Sequence, residues 1–327
     1  MIPCEYVQRT LPLFSGILPV TSEHAIVWLR HAGQRLGLVP SLGGGVAAWQ
    51  LEHEQTLLDV WRPWDGGSAE PGSPASFAML PWCNRISGGG FAHDGRFHPV
   101  APNRAGEPYP IHGDGWLQPW AITQPSDDTL VMTLESHCFD GNPYDYQATQ
   151  TFRLLEGGLD QSVSVTHVGD FPLPYGLGLH PWFLRGQQTR LQAGVQGVWL
   201  SGANLLPTVH AQNLSTAGDL AVGLAAQGTL IDNAFTGWSG QACVDWPEQQ
   251  LRLHLRVPAL AEQGLADGFC HVYRPPQGSV FCLEPVTHPI DAFHLPGNPG
   301  LRVLHSGESL SLHVQWRFQM TARALLF

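Results

Sequence analysis

The chain has 327 residues, of which 43% are hydrophobic and only 13% charged, and glycine (37) and proline (27) are abundant. This composition excludes general disorder and favours many short strands joined by turns over long helices. A formal net charge of −11 without a visible basic patch argues against nucleic acid binding, and because all sixteen basic residues are arginine, lysine-dependent chemistry is excluded.

The first residues and the cysteines predict a cytoplasmic protein. Residues 1–20 contain Glu5 and Arg9 and lack a basic start followed by a long apolar run, so we expect no signal peptide. No apolar run in the sequence is long enough to cross a membrane. The six cysteines show no CxxC spacing and are typical of small buried residues in a reducing compartment.

Alternating hydrophobicity predicts strands along much of the chain. We expect them near 25–31, 118–123, 129–136, 146–154, 159–166, 251–257, 269–274, 279–284 and 309–318. Within 91–98, Asp94-Gly95 predicts a two-residue hairpin turn, because both turn positions need positive φ. Short helices are expected near 74–80 and 217–226, and the Pro/Gly-rich stretch 62–76 is interpreted as a surface loop. The pattern predicts one all-β domain over 1–327, a large antiparallel β-sandwich.

Two glycine-containing stretches carry candidate binding residues. In "LPWCNRISGGGF", Asn84 and Arg85 precede three glycines that would let the backbone approach a ligand, and the arginine fork suits hydroxyl or carboxylate oxygens. In "YPIHGDGW", His112 is followed by glycine and lies near a tryptophan that offers an apolar platform. Alternatively, Arg85 is a surface arginine beside a turn, and His112 is a turn histidine without a binding role.

Three further stretches carry titratable side chains. In "YGLGLHPWFL", Pro181 biases His180 toward extended backbone, and the following aromatic residues can exclude water from an imidazole that titrates near neutral pH. Asp232 in "LIDNAFTGW" has apolar neighbours, so when buried it needs hydrogen bonds from sugar hydroxyls or from a turn. Glu284 in "SVFCLEPVTHPIDAFH" ends an apolar run, where desolvation would raise its pKa and make it a better base.

The sequence favours neither a metal site nor a serine hydrolase. There is no HExxH or CxxC motif, and the His93/His98 and His288/His294 pairs have no recognisable third ligand. A GxSxG elbow and strand–helix alternation are also missing. We therefore expect no metal and no cofactor.

The five stretches, in this order, resemble the aldose 1-epimerase (galactose mutarotase) family over about residues 25–318. The family segment NRI.GG.F corresponds to Asn84-Arg85-Ile86 with Gly88, Gly89 and Phe91, and the segment HG corresponds to His112-Gly113. The segment NH.YF corresponds to His180-Pro181-Trp182-Phe183, and D..F corresponds to Asp232 with Phe235. The segment CLEP or CLET corresponds to Cys282-Leu283-Glu284-Pro285. The closing "LHSGESLSLHVQWRF" is similar to the family's last strand. Departures are Leu179 for the family's asparagine, Gly90 where many members carry arginine, and the "PVTHPIDAFH" tail of a bacterial side branch.

The resemblance implies a mutarotase-type β-sandwich that works on the anomeric carbon of an aldose. It makes Glu284 the general base for the C1 hydroxyl and His180 the acid for the ring oxygen, with His112 polarising or orienting that oxygen. Arg85, Asp232 and Asn84 would bind the substrate. Ring opening needs one proton removed and another supplied nearby, which a carboxylate facing an imidazolium can do without a cofactor. A facing carboxylate would also raise the pKa of His180.

Two other functions are compatible with the same stretches. A hexose-6-phosphate 1-epimerase would need clustered cations, and only Arg85, Arg96 and Arg104 are close in sequence. A sugar-binding regulatory protein could keep the cleft without catalysis. In each case we expect a small-molecule sugar as partner, no nucleic acid and no membrane, and a monomer or homodimer.

Overall fold

The computed structural model describes residues 24–53, 55–212, 218–258 and 268–321. Within these ranges the chain forms strands and three short 3-10 helices. The strands are β1 Val27–His31, β2 Gln34–Val39, β3 Gly45–His53, β4 Thr56–Asp59, β5 Ala78–Met79, β6 Gly90–His93, β7 Arg96–Pro99, β8 Ala121–Ser126, β9 Thr129–His137, β10 Asp145–Leu155, β11 Gly158–His167, β12 Leu173–Tyr175, β13 Gly178–Leu179, β14 Trp182–Leu184, β15 Arg190–Ala193, β16 Gly197–Ser201, β17 Pro207–Ala211, β18 Leu224–Ala225, β19 Ile231–Thr236, β20 Gln241–Trp246, β21 Leu251–Arg256, β22 Phe269–Arg274, β23 Val280–Val286, β24 Arg302–Leu304 and β25 Ser309–Met320. The 3-10 helices are Gly115–Leu117, Phe139–Gly141 and Pro247–Gln249.

Two large antiparallel sheets form the framework. The nine-stranded sheet has the order β18-β15-β20-β21-β25-β11-β10-β9-β8, and the eight-stranded sheet has the order β17-β16-β19-β22-β23-β13-β5, with β14 also pairing with β23. A four-stranded sheet, β1-β2-β3-β4, and the two-stranded pairs β12-β24 and β6-β7 complete the assembly. The predicted all-β antiparallel fold is therefore confirmed.

Aromatic side chains from both large sheets fill the space between them. Phe183 on β14 stacks on Phe281 of β23, with ring centroids 5.4 Å apart. Phe183 also lies 6.1 Å from Trp246 and 6.4 Å from Trp316, which belong to the nine-stranded sheet. All four side chains are buried, so the main core lies between the sheets and the opposite face of the eight-stranded sheet is free to carry a site.

The predicted strands and hairpin are present. All nine predicted strand segments overlap strands of the structure, with end points that differ by a few residues. In the predicted hairpin, β6 and β7 are joined by Asp94 (φ 49°) and Gly95 (φ 71°), both with the positive φ that this turn needs.

Both predicted helices are wrong within the described residues. Residues 74–75 form a bend, residues 76, 78–79 and 80 make bridge or strand pairs, and Met79 pairs with Gly178 of β13. Residues 218–226 form turns and the short strand β18, which pairs with β15, while residue 217 lies outside the described residues. Pairing with a neighbouring strand overrides a weak local helical pattern in both places. The predicted loop 62–76 is confirmed, although its last residues are buried.

Cys83, Cys270 and Cys282 are buried thiols, as expected, whereas Cys138 and Cys243 are partly exposed. Cys4 and residues 1–20, in which no signal peptide is expected, lie outside the described residues. No helix in the described part of the chain is both long and apolar enough to cross a membrane. The single domain, the cytoplasmic location and the monomeric or homodimeric state stay predictions.

Candidate active site

Polar side chains on three adjacent strands of the eight-stranded sheet share one face. Successive residues of a strand point to opposite faces, so Phe281 and Leu283 enter the main core while Glu284 points away from it. In the strand register Glu284 lies opposite His271, and Asp232 lies opposite Tyr273. The backbone pairing of β19, β22 and β23 therefore brings two carboxylates and an imidazole together on one surface.

Loops cover this surface and leave a cleft of about 440 Å³. All six residues predicted from the sequence line it: Asn84, Arg85, His112, His180, Asp232 and Glu284. Other polar and aromatic residues that contribute to the wall include Arg104, Glu107, Trp182, His271 and Tyr273. Its volume is within the range of small-molecule binding sites.

His180 and Glu284 meet in the cleft. The Nε2 atom of His180 lies 3.5 Å from Oε1 of Glu284, and the side chains are only 8% and 2% exposed. Nδ1 of His180 and Oε2 of Glu284 are buried without a hydrogen-bond partner. Buried polar atoms normally have partners, so two orphaned atoms in one cleft indicate a place for a polar ligand.

Aromatic rings hold the His180 imidazole. Phe77 stacks on it at a centroid distance of 4.6 Å, and the Trp182 ring lies 5.0 Å away. The backbone N–H of His180 donates to the carbonyl oxygen of Phe77 at 2.9 Å. The expected aromatic wall therefore comes from Phe77 and Trp182, whereas Phe183 points into the main core.

Burial shifts the pKa values of His180 and Glu284 away from their ordinary values. It lowers the pKa of His180 to about 3, and the positive charge of His271 acts in the same direction. Burial raises the pKa of Glu284 to about 7, against a smaller opposing effect of His271. The expected increase in the pKa of His180 is thus wrong, because desolvation of the imidazolium outweighs the nearby carboxyl group.

His112 presents a neutral imidazole from a tight turn. Its φ is 62°, and the next residue must be glycine because a Cβ on Gly113 would lie 1.9 Å from the carbonyl oxygen of Leu80. The backbone N–H of Asn84 donates to Nδ1 of His112 at 3.1 Å. Burial holds the pKa of His112 well below its usual range, and the positive charge of Arg85 acts in the same direction. Since Nδ1 is an acceptor, the proton of the neutral ring is on Nε2.

A chain of alternating charges crosses the cleft. Arg85 donates from Nε to Glu107 at 2.9 Å and from Nη1 to Asp232 at 3.3 Å. Nε2 of His271 lies 2.8 Å from the other oxygen of Asp232. Asn84 supports this arrangement, because its Oδ1 accepts from both the backbone and Nη1 of Arg85. Each charge is therefore paired, as burial requires.

Hydrogen bonds and neighbouring charges decide the protonation of Asp232 and His271. Burial alone would raise the pKa of Asp232, but the bond from His271 and the charge of Arg85 leave it below its ordinary value. Burial alone would lower the pKa of His271, but the carboxylates of Glu284 and Asp232 raise it overall. His271 is thus the imidazole of the cleft that holds a proton most readily.

The segment after Glu284 holds the loop that carries Arg85. We call residues 287–294 the tail segment and residues 83–87 the arginine loop. Alternate residues of the arginine loop are bonded to the tail segment: Cys83 N–H to His288 Nε2 (2.9 Å), Arg85 C=O to Asp291 N–H (3.0 Å), and Ser87 N–H and O–H to the Asp291 carboxylate (2.8 Å each). The "PVTHPIDAFH" stretch therefore fixes the position of Asn84 and Arg85 in the cleft.

The model of the aldose 1-epimerase family matches residues 26–317. The chain belongs to the aldose 1-epimerase family. A family relative in Escherichia coli (strain K12), the uncharacterized protein YphB, is 32% identical over 252 residues, which cover 73% of this chain and 83% of that protein.

Solved structures agree with the family assignment. A candidate aldose 1-epimerase from Escherichia coli K12 superposes with a TM-score of 0.81 at 28% identity, covering 90% of this chain and 99% of that one. Galactose 1-epimerase from Lactobacillus acidophilus NCFM superposes with a TM-score of 0.71, covering 94% of this chain and 98% of that one. At 14% identity, the second similarity shows the shared fold alone.

Two details of the cleft differ from the sequence-based expectations. The glycine triplet 88–90 does not line the cleft; it forms the turn into β6, where a Cβ on Gly90 would lie 2.1 Å from the carbonyl oxygen of His98. Of the three arginines that are close in sequence, Arg85 and Arg104 line the cleft, but Arg96 lies over the Phe171 ring at 4.4 Å. The cation cluster that a phosphate site would need is therefore smaller than the sequence allowed.

His271 and Glu107 are the charged partners that sequence reasoning missed. A signal for His271 was present, because it lies between Cys270 and Val272 on a predicted strand and must point away from the core that they fill. No comparable signal exists for Glu107, which lies in a loop. Its role follows from contact with Arg85, a residue 22 positions earlier in the chain.

Proposed function

We propose that the protein is an aldose 1-epimerase that interconverts the α and β anomers of a free aldohexose by acid/base ring opening, without a cofactor. The observation that carries the proposal is the 3.5 Å contact between His180 and Glu284 in a cleft, with one further polar atom of each side chain unpartnered. The hydroxyl oxygen and the ring oxygen of an aldopyranose are both bonded to C1, so two adjacent groups can serve both oxygens.

Ring opening transfers two protons. The carboxylate of Glu284 removes the proton of the C1 hydroxyl group, and the imidazolium of His180 protonates the ring oxygen as the bond from C1 to that oxygen breaks. The product is the open-chain aldehyde with a hydroxyl group at the former ring oxygen. At this point Glu284 holds a proton and His180 is neutral, which are the states that burial favours.

Ring closure reverses the roles. After rotation about the C1–C2 bond, the hydroxyl group attacks the other face of the aldehyde and loses its proton to His180, while Glu284 returns a proton to the new C1 hydroxyl. The neutral His112 can donate from Nε2 and orient the ring oxygen. No proton is gained or lost over the cycle, so the enzyme returns to its starting state.

Arg85 and Asp232 are proposed to bind sugar hydroxyl groups. Four of the five N–H groups of Arg85 are used by Asn84, Asp232 and Glu107, which leaves one on Nη2 for a ligand. The Asp232 carboxylate accepts from His271 and Arg85 but has further lone pairs. These side chains are therefore held in place before the sugar arrives, which limits the entropy lost on binding.

The substitution Glu284→Gln tests the proposal. Removing the base should slow anomer interconversion by about 10²-fold or more, while sugar affinity changes little because the amide has nearly the same shape. Polarimetry with freshly dissolved α-glucose and α-galactose measures the rate, and calorimetry measures sugar binding.

The same measurements separate the alternatives. If wild type and Glu284→Gln interconvert anomers at equal rates and both bind the sugar, the result would contradict the enzyme and support a sugar-binding regulatory protein. If the protein strongly prefers glucose 6-phosphate over glucose, the substrate is a hexose phosphate and not the free sugar.

A further inference from the structure

His271 occupies the position directly across from Glu284. The two residues are register partners on β22 and β23, so their Cβ atoms are about 4.5–5.5 Å apart on one face. The imidazole is 3% exposed, donates from Nε2 to Asp232 at 2.8 Å and has a buried Nδ1 without a partner. This ring is fixed by one carboxylate while it faces a second.

The charges around His271 favour its protonated form. Glu284 and Asp232 are the nearest acids and raise its pKa, while burial and the positive charge of Arg85 oppose them. The other charged or titratable residues that line the cleft are Arg104, Glu107, Tyr273, His112 and His180. Burial holds both His112 and His180 neutral.

Glu284 has few other groups to stabilise its charge. His180 lies 3.5 Å away but is neutral, Asp232 repels it, and Arg85 is largely engaged by its own acids. The thiols of Cys83, Cys270 and Cys282 lie nearby and stay protonated, because burial and the charge of Glu284 raise the pKa of each.

We propose that His271 is a positioning residue that acts through Glu284: its imidazolium charge stabilises the ionised carboxylate with which ring opening begins. The inference rests on the proposed function and names a residue that sets its pH range. The His180–Glu284 pair carries one proton, which burial places on Glu284. Ring opening starts from the other arrangement, with the proton on His180, and a positive charge opposite Glu284 lowers the free energy of that arrangement.

The test compares three variants of the full chain. His271→Gln removes the charge and keeps an amide that can donate to Asp232, and His271→Lys keeps a positive charge without the ring. His210→Gln is the matched control, since His210 is an exposed histidine of the same sheet that bonds to Thr236 outside the cleft. An infrared titration follows the carboxyl band of Glu284, which is assigned by its loss in Glu284→Gln. The pH dependence of kcat/KM is measured in parallel.

We expect His271→Gln to raise the pKa of Glu284 by about one to two pH units. The alkaline limb of kcat/KM should move upward with it, because the pair keeps its proton to higher pH, and the plateau should fall about tenfold or more. His271→Lys should restore most of both changes, and His210→Gln should change neither.

An unchanged Glu284 titration in His271→Gln, with the variant folded by circular dichroism, would overturn the inference. The inference would also be overturned if His271→Lys raised the pKa of Glu284 as much as His271→Gln does, because loss of the positive charge would then not be the cause of the increase. If the infrared result is as expected but wild type does not interconvert anomers, the proposed function fails while the electrostatic role of His271 stands.

Discussion

At the scale of single residues, burial of Glu284 raises the pKa of its carboxyl group and also makes the folded chain less stable when that group is ionised. Burial raises its pKa to about 7 in the folded chain, whereas a glutamate in an unfolded chain titrates near ~4.3. The folded state therefore binds more protons than the unfolded state between these values, and the free energy of unfolding falls as pH rises through this window.

We predict that Glu284→Gln is more stable than wild type at about pH 8, by about 3–4 kcal/mol. The difference should vanish at about pH 3, where the wild-type carboxyl is protonated in both states. Denaturant unfolding of both proteins over this pH range measures it. A difference that does not depend on pH would show that packing, rather than charge burial, separates the two proteins.

At the scale of elements, the tail segment supports substrate binding rather than proton transfer. Asp291 uses both carboxylate oxygens on Ser87 and its backbone N–H on Arg85. It is thus the residue that connects the tail segment most directly to the arginine loop. Loosening this connection should release Arg85 and leave the His180–Glu284 contact in place.

We predict that Asp291→Ala raises KM for the sugar about tenfold and changes kcat much less, because ground-state contacts are lost. Asp291→Asn, which keeps an acceptor for Ser87, should recover part of the loss. The exposed Asp127→Ala is the control. In a protein that already carries Arg85→Ala, the effect of Asp291→Ala on KM should disappear. If the effects of the two substitutions on KM were instead fully additive, Asp291 would not act through Arg85.

At the scale of the whole molecule, the core and the cleft lie on opposite faces of the eight-stranded sheet. Trp61 packs edge to face on both Trp49 and Trp316, with centroids 5.2 Å apart in each pair. All three rings are fully buried, and none lines the cleft. Such a core can lose packing free energy without displacing the groups proposed to act on the sugar.

We predict that Trp316→Ala lowers the free energy of unfolding by about 3–5 kcal/mol through cavity formation. KM measured well below the melting temperature should change less than about twofold, in keeping with the small coupling between distant sites. Unfolding in urea and steady-state kinetics provide the two readouts. The exposed Val222→Ala serves as the control, and a large rise in KM for Trp316→Ala would show that core and cleft are coupled.

The sequence by itself determined the strand-rich fold and the residues of the cleft that resembled a family pattern. Strand alternation and the Asp94-Gly95 turn are local properties, because side-chain direction and φ preferences involve only neighbouring residues. The tertiary structure alone decided that His271 faces Glu284, that Glu107 pairs with Arg85, and that the tail segment holds the arginine loop. These contacts depend on strand register and loop packing between distant parts of the chain, and burial, which lowered rather than raised the pKa of His180, is also a property of the assembled fold.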